Sequence, residues 1–275
     1  MPSMLPRSVH MSQEAGKMKR DRAFELDLLR GIAIIFMICM HFSWDLRYSF
    51  KVPVFEYLEQ EWFQGLYHPI FLVIFVGVSG ICCTFSRNNL FRGLKLVAVA
   101  LALFVGTYIA TYKFGIYCLI IFNVIGLLAV GILFYTLVSF IEKKANIRAG
   151  VIDFILLSLG AYATCLGYYI SVFDYKVNNI LLLPTGIMME CLPYQGDFMP
   201  LFPWIGVFLI GCVAGRRLYS TKKTLFPDAP NWVRSVSRPI EFLGRHSLII
   251  YLVHQPLIIA ILTGIFMLIK TLGGK

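Results

Sequence analysis

Charge is what this chain has little of. Only 15% of its 275 residues are Asp, Glu, Lys or Arg, against about 25% in an average soluble domain. Acids are the scarcer sign, 15 against 25 Lys and Arg. Also missing are an internal repeat, which excludes a solenoid or propeller, and any CxxC or other metal-ligand spacing among the seven cysteines, which excludes a zinc module. The tail before Asp21 is polar, carries Pro2, Pro6 and Gly16, and has no apolar stretch of signal-peptide length, so a cleaved leader is not expected. Six of the cysteines (Cys39, Cys82, Cys83, Cys118, Cys165 and Cys212) stand in apolar surroundings and read as small interior residues, with neither a structural disulfide nor a metal expected.

What the chain has instead is apolar length. Hydrophobic residues make up 58% of it and the mean hydropathy is +0.74. Runs of about 18–25 apolar residues recur, each able to cross about 30 Å of hydrocarbon as a helix. The short alternating strands of a transmembrane barrel do not occur. Spans are expected near 26–44, 69–86, 94–112, 117–141, 151–172, 201–219 and 247–269, giving an all-α polytopic transmembrane helix bundle of about seven spans. A tail, 1–23, precedes a single membrane domain, 24–270, and a short tail, 271–275, follows it.

Orientation follows from Lys and Arg. The first tail has Arg7, Lys17, Lys19, Arg20 and Arg22, and alternate loops hold Arg87, Arg92 and Lys95, then Lys143, Lys144 and Arg148, then seven more between 216 and 245. The opposite loops carry few basic residues and most of the acids. Positive residues stay inside, which puts the N-terminus in the cytoplasm. The net charge of +10 is accounted for by topology, and no nucleic-acid partner is implied.

The first span contradicts its own solvent. "ELDLLRGIAIIFMICMHFSWDL", residues 25–46, holds Asp27, Arg30, His41 and Asp45. At about 100° per residue the successive steps between these four reduce to about −60°, +20° and +40°, so they form one stripe. His41 lies about 16 Å along the axis from Arg30. A charge at the bilayer centre costs about 2.5–3.5 kcal/mol on the insertion scale, so the stripe is expected to face the bundle interior or a water-filled cavity. A histidine near operating pH takes a proton from a hydroxyl or amine, and Asp45, four residues on, is placed to orient the ring. His68, at the outer mouth of the second span, is the competing base. At the cytoplasmic end Arg245 and His246 open the last span, with His254 and Gln255 eight and nine residues beyond His246. Asp27, Arg30, Arg245, His254 and Gln255 are the candidates for holding a donor, with Arg216 and Arg217 as further phosphate contacts.

Four stretches in order, residues 25–46, "WFQGLYHPIFLVIFVGVSGICCTFSR" (62–87), "DFMPLFPWIGVFLIGCVAGR" (197–216) and "FLGRHSLIIYLVHQPLI" (242–258), resemble a bacterial member of the heparan-alpha-glucosaminide N-acetyltransferase catalytic-domain family. The first and last are also similar to the membrane acyltransferase-3 family. The resemblance implies acetyl transfer from acetyl-CoA across a bacterial plasma membrane onto an extracytoplasmic sugar hydroxyl or amine; the cysteine spacing gives no reason to expect a metal, and a homo-oligomer is left open. It also implies a histidine just before the segment that lines up on Trp62 and Gly65, and one in the fourth span. This chain has Glu59 near the first position and Asn123 at the second. His41, where the acyltransferase-3 motif has its histidine, and His68 are the substitutes. The contrasting reading is a transporter or flippase-like protein whose stripe relays protons or binds a headgroup. Paired broken helices in two repeats, usual in transporters, have no counterpart here.

Overall fold

The computed structural model describes residues 23–190, 195 and 197–273. Of the two expected tails, residues 1–22 and residues 274–275 lie outside the described residues. The long described elements are α-helices: α1 (Phe24–Trp44), α2 (His68–Cys83), α3 (Asn89–Phe114), α4 (Val124–Lys144), α5 (Ala149–Phe173), α6 (Trp204–Leu218), α7 (Asn231–Arg245) and α8 (Ser247–Gly273). Apolar composition favours these helices in lipid because a helix satisfies its own backbone, and local residues set several ends. Asn88 accepts from the Phe91 N–H at 2.9 Å to begin α3, Asn123 accepts from Ile125 and Gly126 to begin α4, and Gly115, at φ +67°, ends α3 in the left-handed conformation.

Among the described residues, six helical segments are long and apolar enough to cross a membrane: Phe24–Ser49, Phe63–Cys83, Asn89–Phe114, Val124–Lys144, Ala149–Phe173 and Ser247–Leu272. The protein is an all-α polytopic membrane protein. The expected span at 201–219 differs. Its helix, α6, has 15 residues, about 22 Å at 1.5 Å per residue, because the chain turns through Pro200–Pro203 before it starts. The loop expected over 220–246 differs as well, since α7 occupies half of it.

The chain divides into two compact units, one of Met1–Phe75 with Thr221–Lys275 and one of Val76–Ser220, the division falling inside α2. In the second unit α3 packs on α4, α5 on α6, and α6 also on α4. Gly206 of α6 meets the Gly160 carbonyl of α5 so closely that a Cβ would overlap it.

In the first unit α1 packs along α7 and then α8. The pairs Asp27–Arg245, His41–His254, Asp45–Gln255 and Phe50–Phe266 climb both segments together, so α7 and α8 run parallel to α1. The close approach is made by glycine: a Cβ on Gly31 would overlap the Ile240 carbonyl, and one on Gly244 the Asp27 carbonyl. Glu25, buried at the start of α1, accepts from the Thr224 hydroxyl at 2.7 Å and the Leu225 N–H at 2.9 Å, tying the chain before α7 to the same helix.

Gly244→Ala is expected to lower stability by about 1–3 kcal/mol, the cost of forcing an extra carbon into a close-packed contact. Gly106→Ala, where a Cβ meets nothing within 4 Å and the helix loses a glycine, is expected not to lower it. Unfolding midpoints of the two purified variants in detergent check this.

Candidate functional site

The α1 stripe is covered by α7 and α8, and its polar residues fall into two groups at opposite ends of the helix pair. In the first, Asp27 is 6% exposed, with the Arg30 guanidinium at 3.6 Å and that of Arg245 at 3.9 Å. Glu241 lies 3.6 Å from Arg245 on the same turn of α7, and its carbonyl accepts from Arg245 Nε at 3.2 Å. Two carboxylates therefore steady two guanidiniums. Each guanidinium has five N–H donors in a fork that suits a carboxylate or phosphate. His246, next in the chain, is exposed and turns its Nδ1 to the Phe242 carbonyl at 2.8 Å.

The second group lies about 14–17 Å along the helices, by the rise from Arg245 to His254 and from Arg30 to His41. The His41 and His254 rings meet edge to face with centroids 4.7 Å apart. His254 is 6% exposed and Asp45 4%. His254 Nδ1 stands 2.6 Å from the Tyr251 carbonyl oxygen. A carbonyl only accepts, so Nδ1 carries the proton and Nε2 presents a lone pair. That Nε2 is buried and has no hydrogen-bond partner in the structure. Gln255 donates to Asp45 at 2.8 Å, which turns its Oε1 away, and this atom too is buried without a partner. Two acceptor atoms thus await a donor where unsatisfied polar atoms are costly.

The sequence placed His254 and Gln255 with Arg30 and Arg245; the structure brings them to His41 and Asp45 instead. The expected Asp45–His41 hydrogen bond is not the one formed. The Asp45 carboxylate accepts from Gln255 and, at 3.3 Å, from Ser49, because the helix passes into a π turn over Asp45–Ser49 and α8 offers an amide donor, while the His41 ring turns to His254. His68 opens α2 after a second π turn, Phe63–Tyr67; it is exposed and comes within electrostatic range of His41. From the first of these turns Arg47 donates to Glu59, from Nε at 3.1 Å and from a terminal nitrogen at 2.9 Å, and the Tyr48 hydroxyl adds a bond of 3.0 Å. The Arg47 hydrogen bonds, then that of Tyr48, hold the Glu59 carboxyl below its ordinary pKa. Among the described residues no three His, Cys, Asp or Glu side chains gather as a metal-ligand set.

Residues 22–256 match the family model described as heparan-alpha-glucosaminide N-acetyltransferase, catalytic. The chain belongs to that family. No curated protein and no solved structure matches it. The family implies a membrane acetyltransferase, and with its six apolar helices this member is a multi-pass membrane protein. Both polar groups of the α1 stripe lie within the matched residues.

The remaining basic candidates of this N-acetyltransferase-family chain are in the other unit and are already engaged. Arg216 forks onto both Glu142 oxygens, at 2.8 and 2.6 Å, and its Nε donates to Asp153. Arg217 pairs with the other Asp153 oxygen. The network has a carboxylate oxygen for each of these donors, unlike the His254 group. A lone acid inside an apolar run, Asp153 in residues 149–173, was the sequence signal for it.

Arg216→Gln is expected to destabilise the protein by about 3 kcal/mol, since it leaves Glu142 and Asp153 mostly buried and uncompensated. The loss is expected in the absence of any ligand, read as a lower unfolding midpoint in detergent. A wild-type midpoint would mean that Arg216 is free for another role.

Proposed function

We propose that the protein moves an acetyl group from cytosolic acetyl-CoA onto an extracytoplasmic sugar hydroxyl or amine in a bacterial plasma membrane, with its N-terminus in the cytoplasm. One observation carries the reading: a single pair of parallel helices holds guanidiniums at one end and an imidazole pair with unpartnered acceptor atoms at the other. Phosphates of the donor suit Arg30 and Arg245, whose N–H groups are aimed by Asp27 and Glu241. The 14–17 Å of helix between the groups is a distance that an extended pantetheine arm covers, which brings a thioester to the imidazoles. There, His41, Asp45 and His68 are the residues that the sequence reading puts at the acyl-transfer step, with His254 and Gln255 added by position. A base within reach of the acceptor's proton is worth about 10²–10⁴-fold in rate.

The direct test is thermal stability of the purified protein with acetyl-CoA. A ligand present at 100 times its dissociation constant stabilises by about 2.7 kcal/mol, so a saturable rise in midpoint is expected, smaller with adenosine 3′,5′-bisphosphate and lost in Arg30→Ala or Arg245→Ala variants. No rise with millimolar acetyl-CoA would favour a transporter or flippase-like protein with the same stripe.

A further inference from the structure

We infer that His254, acting through Nε2, is the group that takes the proton from the acceptor, and that His41 flanks it. The inference rests on the acyl-transfer reading above and reassigns the base within it. A general base has to present a lone pair in a fixed direction, which requires a third group to hold its far nitrogen. His254 has that arrangement: Nδ1–H donates to the Tyr251 carbonyl at 2.6 Å, on the rigid frame of α8. His41 has none. Its ring nitrogens make no hydrogen bond among the described residues, and the acid expected to hold them, Asp45, is engaged by Gln255 and Ser49.

Burial points the same way. His254 is 94% buried by its 6% exposure, yet Nε2 has no partner, and the neighbouring Gln255 Oε1 has none either. A buried acceptor left open in a native protein calls for an explanation, of which a catalytic role is one. Both open atoms are acceptors, so the group they call for is a donor of N–H or O–H. That is the character of an acceptor nucleophile and the opposite of the thioester carbonyl, which offers no proton.

The step balances without another reagent. The lone pair of the acceptor oxygen or nitrogen forms a bond to the acetyl carbonyl carbon, and the carbon–sulfur bond breaks. The acceptor proton passes to His254 Nε2 and from there to the leaving thiolate, so acetylated acceptor and free CoA thiol are the products and the imidazole is regenerated neutral. Gln255, through Oε1, orients the acceptor by taking a second hydrogen bond from it.

The experiment uses the full chain in lipid nanodiscs, with acetyl-CoA and D-glucosamine as the probe acceptor. His254→Gln is expected to lower turnover by about 10²–10⁴-fold with little change in the KM for glucosamine. His254→Ala is expected to regain part of the lost rate when free imidazole is added, which a merely structural histidine would not do. His41→Gln is expected to cost much less and His41→Ala to gain nothing from imidazole. The reverse pattern, or a His254→Gln variant turning over like the wild type, overturns the assignment. Should the His254 variants fail to fold, nitrogen-15 spectra of the wild-type histidine rings decide it: Nδ1 protonated and Nε2 bare at His254 is the expected tautomer, and the opposite tautomer overturns it. A wild-type protein that transfers no acetyl group to glucosamine or to methyl glucoside would count against the acyl-transfer reading itself. The spectra would still report whether His254 presents the lone pair.

Discussion

Polar groups inside a span have to find one another, because the hydrocarbon around them offers no hydrogen bonds. In this protein that constraint falls on α1, which carries Asp27, Arg30, His41 and Asp45 along one stripe. The partner that answers it is the parallel segment formed by α7 and α8. Lipid supplies no hydrophobic drive for helix association, so contact between helices depends on close packing of small residues. Gly31 and Gly244 provide it where the two backbones approach most closely. That contact also sets the register that brings Arg245 to Asp27, His254 to His41 and Gln255 to Asp45.

Two of the polar networks among the described residues differ in how completely they are satisfied. Around Arg216, the guanidinium and the carboxylates of Glu142 and Asp153 answer one another, with Arg217 adding a further donor. Such a network holds α4, α5 and α6 together and leaves little for a ligand to do. Around His254 the accounting stays open: two buried acceptor atoms face no donor. A fully satisfied polar network gives rigidity, whereas an open one is destabilising unless something fills it.

The stripe on α1 was legible from sequence alone because a helix repeats at about 100° per residue and four ionisable residues in one apolar run stand out against it. The helical class and the membrane were legible for the same reason, from run length. What stayed hidden depended on contacts between distant segments. Nothing local says that Asp45 gives up His41 for Gln255, 210 residues away. Helix α7 was hidden because "NWVRSVSRPIEFLGR" is rich in Arg and Ser and contains Pro239. Those residues read as a loop in an otherwise apolar chain, yet Ser237 and Gly244 are buried, and Gly244 and Ile240 meet the backbone of α1. The 201–219 run was long enough in letters but not in helix, since two prolines delay its start.

The departures from the family's histidine pattern fit the same picture. Glu59, near one expected histidine position, accepts from Arg47 and Tyr48, which favours the carboxylate and weakens it as a proton acceptor. Asn123, at the other, is buried at the start of α4 with its side-chain oxygen on the Ile125 and Gly126 N–H groups. Each replacement is occupied by the backbone or a neighbouring cation. The histidines of the first unit are placed differently: His41 and His254 stand within helices, His68 opens α2 and His246 follows α7. A side chain carried on a packed helix is held more rigidly than one on a loop, so a chain without the expected histidine near Glu59 still has two imidazoles fixed together on α1 and α8.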